Sequence, residues 1–353
     1  MNYHRFCRAT GLVLALSSMS LSAFAADTLT NLPTPVGFTI SGTGLPDGRI
    51  AIYNGDGVYY QSSVGADAFN LVASGYEGDP SFITVSPSGD TLLLGAGGFG
   101  QPYTGNLYSV DADSPQNYTP ASIETNTPHY AAVYLTANLV LIDSGDFVDS
   151  ALSIIDLNAK SAAPVTVLRK PAGDKQVVLD PKPGYSASLA FDSASGKVYA
   201  MDAAARELRS FSDTDLINAF TGSTLLDWST DGTLIGAAGD YVGGGAAGIT
   251  SQGWLVLGGS LGFTGPGMVQ VVNPNTGAII NEVDPVGDDG YTQVIVNPFT
   301  GDAVVQQSGQ NFLIEETELI TPPVQPQLPV AGLPGLLALG ALMAVVARRA
   351  VRK

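Results

Sequence analysis

One local pattern recurs along this chain and limits what it can fold into. FITVSPSGDTLLLG from Phe82, SLAFDSASGKVYAMD from Ser188 and QVIVNPFTGDAVVQ from Gln293 share a layout. Each is an apolar strand, a turn of Asp, Asn or Ser with a glycine, and a second apolar strand. AAVYLTANLVLID from Ala131 and AGITSQGWLVLGG from Ala247 are looser copies, and GRIAIYNGDGVYYQ from Gly48 keeps a hairpin behind a different lead-in. The equivalent positions Val85, Tyr134, Phe191, Ile249 and Val296 lie 49, 57, 58 and 47 residues apart. In SPSGD and NPFTGD the proline pre-sets φ and the glycine takes the positive φ that closes the turn. Third strands follow, as in NLYSVDAD from Asn106, LSIIDLNAK from Leu152, VQVVNPNTG from Val269 and NFLIEE from Asn311, and AIINEV from Ala278 reads as a fourth.

A four-stranded unit of this length cannot bury both faces alone, so neighbouring units must cover it. The expected class is all-β: a β-propeller of about six four-stranded blades, with five to seven open. A β-sandwich or β-helix competes, but a sandwich gives turn signals every roughly 8–12 residues without a second, longer period. A strand near GFTISG, before the first hairpin, is expected to close the ring. AARELRSFSDTDLINAF, residues 204–220, is the best helical candidate, a short helix in a connection.

The two ends read differently from this body. Arg5 and Arg8 precede the apolar run GLVLALSSMSLSAFA, which closes on Ala23-Phe24-Ala25. That is the layout of a secretory leader, cut by signal peptidase after Ala25. Cleavage removes Cys7, the only cysteine, and His4, leaving His129 as the one histidine. From Ala26 to Leu328 the chain keeps nine of its fifteen basic residues and all 32 acidic ones, a formal charge of −23. Nucleic acid is an unsuitable partner, because phosphate needs a basic footprint.

At the other end, 321–329 (TPPVQPQLP) carries four prolines and reads as an extended linker of ~3.1 Å per residue. Residues 330–347 are 18 uncharged residues, a hydrophobic helix of about 27 Å at the lower edge of a membrane span. Arg348, Arg349, Arg352 and Lys353 follow in 348–353 and place that end in the cytoplasm, with the body outside. The expected organisation is therefore leader 1–25, propeller 26–320, linker 321–329, hydrophobic segment 330–347 and basic tail 348–353.

Several short motifs lose their chemical meaning in context. GAGGFG at 95–100 and GGGAAG at 243–248 fit a dinucleotide fingerprint, but strands follow both. The fingerprint needs a helix N-terminus against the pyrophosphate. GGSLG at 258–262 fits a serine nucleophile elbow, yet no histidine follows it. The acidic stretches DADSP (111–115), DSGDFVDS (143–150) and GDDG (287–290) read as solvated turns, with calcium as the one ion their oxygens would suit. Glu77, Asp79, His129 and Asp240 precede or open first strands, where a propeller exposes residues to its channel, and Glu77, Asp79 and Asp240 are the candidate calcium ligands.

Through this hairpin pattern the body, over most of 38–316, resembles the YVTN-like and NHL-like repeat propellers, without their signature tetrapeptides intact. That resemblance implies architecture and no activity. A channel calcium would resemble lactonase-like propellers, which implies a secreted hydrolase. The tail resembles two bacterial sorting signals. One is the PEP-CTERM class read by exosortases, through its Leu-rich span and closing arginines, with Leu-Pro-Val at 328–330 where Pro-Glu-Pro would stand. The other is the sortase signal L-P-x-T-G, which Leu328, Pro329, Val330, Ala331 and Gly332 approach with alanine for threonine. Either implies an exosortase- or sortase-like processing partner and display on the cell envelope, or release.

Together these readings predict an exported, non-enzymatic propeller that binds or scaffolds without a cofactor, in contact with the membrane through its tail and with polysaccharide or surface proteins as partners. The alternative is the calcium-dependent, lactonase-like hydrolase.

Overall fold

The computed structural model describes residues 27–28, 41–55, 57–66, 68–76, 79–98, 104–116, 122–123, 129–145, 149–159, 175–183, 189–203, 205–236, 239–260, 266–284, 292–307 and 310–320. All belong to one compact unit, Phe24–Pro322. A second unit, 1–23 with 323–353, lies outside the described residues, as do Ala23, Ala25, Leu328–Gly332, Arg348 and Arg349. No helix among the described residues is long and apolar enough to cross a membrane.

The described chain is all-β apart from short helical pieces, and its strands form six four-stranded antiparallel sheets. After β1 (Asp27–Thr28), sheet one holds β2 (Ser41–Gly44), β3 (Ile50–Asn54), β4 (Gly57–Gln61) and β5 (Phe69–Ala73). Sheet two holds β6 (Asp79–Val85), β7 (Thr91–Gly98), β8 (Thr104–Asp111) and β9 (Ser122–Ile123). Sheet three holds β10 (His129–Tyr134), β11 (Leu139–Gly145), β12 (Asp149–Asp156) and β13 (Lys175–Pro183). Sheet four holds β14 (Ala190–Asp192), β15 (Lys197–Asp202), β16 (Glu207–Ser212) and β17 (Thr233–Leu234). Sheet five holds β18 (Gly243–Ile249), β19 (Leu255–Ser260), β20 (Gly267–Val272) and β21 (Ile279–Val283). Sheet six holds β22 (Thr292–Val296), β23 (Ala303–Gln307) and β24 (Gln310–Ile314), with β1 as its outer strand.

The first strands β2, β6, β10, β14, β18 and β22 touch in that cyclic order, and β22 returns to β2. They therefore line the middle of a ring. Each second strand is buried on both faces, which is why it reads as an unbroken apolar run rather than an alternation. In β7, Leu92 and Leu94 pack toward sheet one while Leu93 packs toward sheet three. In β11, Val140 and Ile142 face sheet two and Leu141 faces sheet four. Every seam between successive sheets has its own apolar cluster. The seam between sheets six and one is the thinnest among the described residues, with Ile50, Ile52, Ile295 and Val304 fully buried.

The hairpins joining first to second strands explain the repeated glycine. Gly48, Gly89, Gly196, Gly253 and Gly301 take φ of +88°, +79°, +65°, +79° and +80°. That left-handed region is costly for residues with a Cβ. Sheet three lacks the glycine, and there the Thr136 hydroxyl accepts from the Asn138 and Leu139 amides, at 3.3 and 3.0 Å.

Two expectations need correcting. The GFTISG region does not close the ring: Ser41–Gly44 is the central strand of sheet one, and closure comes from β1 pairing with β24 through Asp27↔Leu313 and Thr28↔Phe312. The central strand must approach its neighbour closely, since a Cβ on Gly42 would lie 2.4 Å from Ile295 Cδ1. Consequently β3–β4 in GRIAIYNGDGVYYQ is the second hairpin of its sheet, not the first. The helix expected across 204–220 starts later, at α1 (Asp213–Gly222), because Leu208 and Phe211 are buried in β16 and Ser212 caps the helix by accepting from Asp215 N at 3.3 Å. A last short helix, α2 (Glu316–Ile320), buries Leu319 against sheets five and six.

Candidate functional site at the leading end of the ring

The ring has two unlike ends. First-to-second-strand hairpins crowd one, the turn end. At the other, the leading end, first strands begin and second strands finish. Three of the four channel candidates, Asp79, His129 and Asp240, belong to the leading end. Asp79 opens β6 opposite Gly97, and His129 opens β10 opposite Ser144. Asp240 is exposed on the connection into β18, and Glu77 lies outside the described residues. Tyr241, beside Asp240, is buried and its hydroxyl donates to Gly277 O at 2.8 Å. Burial, followed by the neighbouring Asp240 charge, raises its phenol above the ordinary range. Among the described residues no group of three or more His, Cys, Asp or Glu is placed to hold a metal.

Polar side chains at the ends of the second strands are a feature the sequence reading missed. Asn54 in β3, Asp202 in β15 and Gln307 in β23 occupy matching positions and are buried. Asp202 Oδ1 accepts from Ala205 N at 3.0 Å, which fixes the β15–β16 hairpin. Gln307 Nε2 donates to Gly267 O at 2.8 Å and to Asp284 Oδ1 at 2.9 Å, tying sheet six to the start of β20 and the residue after β21 in sheet five. One residue earlier in its own strand, Asp143 is 0% exposed, paired to Ala131 and Leu152 beside the corner that His129 opens. The available signal was an acid ending the apolar run LVLI in a strand that needs both faces apolar.

The arrangement supplies buried carboxylate and amide groups, with Asp202 and Gln307 held by hydrogen bonds to the backbone. Asp202 and Gln307 thereby brace the backbone of the leading end. The GGGAAG and GAGGFG glycines lie largely within β18 and β7, not at a helix N-terminus. A Cβ on Gly244 would fall 1.9 Å from Gly258 O, so the glycine there serves close strand packing.

No protein-family model matches the chain, and no curated protein sequence does. Its fold is similar to that of solved β-propellers. The calcium-binding protein regucalcin of Agrobacterium tumefaciens aligns with a TM-score of 0.54 at 13% identity, over 82% of this chain and 93% of that one. The β-propeller domain of Cps50 (Swd1) from Myceliophteria thermophila aligns at 0.53 and 10%, over 81% and 99%. A gluconolactonase from Xanthomonas campestris aligns at 0.52 and 11%, over 82% and 88%. At such identities the likeness is one of fold.

Proposed function

We propose that the chain is an exported six-bladed propeller, displayed on a cell envelope or released from it, whose work is binding or scaffolding. One observation carries this reading: the compact unit runs from Phe24 to Pro322, close to both expected processing boundaries. Its first paired residue, Asp27, is two positions beyond the expected leader cut at Ala25. Its last helix ends at Ile320, the residue before the proline-rich linker begins at Thr321. Removing leader and tail would leave every described strand and seam intact. The charge of −23 between the two ends suits a solvated surface.

A signal peptidase would act at Ala25, and an exosortase- or sortase-like enzyme at 328–332, with the arginines from Arg348 holding the tail in the membrane. The test is the mass of the C-terminal peptide from membrane and released fractions. Chains ending between Pro329 and Gly332 support processing and display. An intact tail through Lys353 in every fraction overturns it and leaves a plain anchor. Calcium-dependent lactone hydrolysis, abolished by Glu77→Gln or Asp240→Asn, would replace binding with the hydrolase reading.

A further inference from the structure

Sheet four carries a segment with the spacing of a calcium loop. Asp227, Ser229, Asp231 and Gly232 stand at the first, third, fifth and sixth positions of the D-x-[DN]-x-[DN]-G pattern, with serine in the middle place. The twelfth position, where such loops carry a bidentate glutamate, is Ala238. Short-range hydrogen bonds close the segment on itself. Asp227 Oδ1 accepts from Ser229 N at 2.8 Å and Thr230 N at 2.9 Å, and Asp231 Oδ2 accepts from Asp227 N at 2.6 Å. Gly232 is required, because a Cβ there would lie 2.6 Å from both Trp228 O and Phe211 Cζ.

A cation already sits against this loop. Arg209, from the middle of β16, donates through one terminal nitrogen to Gly232 O at 2.7 Å and Ser229 O at 3.1 Å. Its Nε donates to Glu207 Oε1 at 2.5 Å, and its guanidinium carbon lies 5.9 Å from the Trp228 ring centroid. Trp228 Nε1 donates to the same glutamate oxygen at 2.9 Å. Hydrogen bonds from Thr230 and Ser229, aided by the Arg209 charge, hold the Asp227 carboxyl below its ordinary range.

We infer that Arg209 is the built-in cation of the Asp227–Gly232 loop, doing from within the chain what a bound divalent ion does in loops of this spacing. The guanidinium binds the loop carbonyls of Ser229 and Gly232 while pairing with Glu207, its charge favours the ionised Asp227 carboxylate, and its planar fork suits several acceptors at once. Because the charge arrives with the chain, the loop closes in an environment of any calcium content. Removing the charge while keeping the loop should convert it to a metal site.

The experiment uses purified full-chain protein, with calcium chloride, EDTA and terbium chloride as probes and Trp228 as the sensitiser of terbium luminescence. In the unaltered protein, Tm is the same in calcium and EDTA and terbium stays dark. Arg209→Gln, which keeps amide donors for the carbonyls, has a lower Tm in EDTA, recovers in calcium and lights terbium. Adding Asp227→Asn or Trp228→Phe removes that signal. Arg209→Lys keeps a cation and stays dark. A calcium-dependent Tm or terbium signal in the unaltered protein, abolished by Asp227→Asn, overturns the inference. So does luminescence from Arg209→Lys, or a folded Arg209→Gln that binds no terbium. If Arg209→Gln does not fold, the unaltered protein and Arg209→Lys still decide.

Discussion

Gly89 and Gly253 provide a controlled pair for testing the ring order. Both occupy the same position of the hairpin between first and second strands, in sheets two and five, and both have φ of +79°. Both donate their amide to the carbonyl three residues back, Gly89 to Ser86 at 2.8 Å and Gly253 to Thr250 at 2.9 Å. Their surroundings differ. A Cβ on Gly253 meets nothing within 4 Å, whereas one on Gly89 would sit 1.8 Å from Pro46 Cγ, in the adjacent hairpin of sheet one.

Alanine at either site adds left-handed strain of ~1–2 kcal/mol. Both substitutions stiffen the unfolded chain alike, which offsets part of that equally. Only Gly89→Ala must also push Pro46 aside, an overpacking cost of about 1–3 kcal/mol. The expected losses are therefore about 1–2 kcal/mol for Gly253→Ala and about 2–5 kcal/mol for Gly89→Ala. At ~2.1 cal/mol/K of unfolding entropy per residue, a ring of roughly 290 residues shifts about 1.6 °C per kcal/mol. Tm should fall about 2–3 °C in the first variant and about 3–8 °C in the second.

Urea midpoints, read where refolding is reversible, give the free energies, and thermal unfolding by circular dichroism gives Tm. In a Pro46→Ala background the Gly89→Ala cost should drop to the Gly253→Ala value, the signature of coupling between contacting residues. Equal losses at Gly89 and Gly253 in the unaltered background would refute the interlocking of sheets one and two at the turn end.

Three further outcomes follow from the structure. Asn297→Ala loses the side-chain bond from Nδ2 to Gly48 O and the acceptor for Phe299 N, so the urea midpoint should fall by an amount equivalent to ~1–3 kcal/mol. Leu319→Ala empties a fully buried position in α2 and should cost ~2–5 kcal/mol, with faster proteolysis beyond Ile314 as a second readout. At Glu207, burial alone would raise the carboxyl, but the Arg209 and Trp228 hydrogen bonds outweigh it and the pKa falls below the ordinary glutamate value. Its contribution is thus present above the unfolded pKa and lost as pH falls through the folded one. Glu207→Gln should lower stability near neutrality, and the difference should shrink in acid, read as urea midpoints across pH.

What the sequence revealed and what it hid follow from how many residues carry each signal. The hairpins were legible because a positive-φ glycine recurs at five of the six turns and two apolar runs flank each, and both features have local causes. The position of β1 was hidden because two residues, Asp27 and Thr28, show no periodicity and their partner lies at the far end of the fold. Residues 207–212 were misread as helix because ELRSFS has only a weak alternation, while the true start depends on the Ser212 cap. Asp143 was placed among solvated turns because its burial comes from the neighbouring sheets, which no local pattern reports.

The same distinction explains the closing seam. Every other seam joins sheets adjacent in the chain, so its apolar cluster forms over short loops. The seam between sheets six and one joins Gly48 to Asn297 across 249 residues. It has the fewest buried apolar side chains among the described residues, and polar contacts supplement it at the turn end. Asn297 also takes the Phe299 amide on its own oxygen, which fixes the side chain before it reaches Gly48 O. Hydrophobic packing alone tolerates slippage between similar sheets, whereas a directional bond to one carbonyl specifies a single register. Ring closure here therefore depends more on geometry than on buried area, and the pairing of β1 with β24 adds a second directional constraint on sheet six.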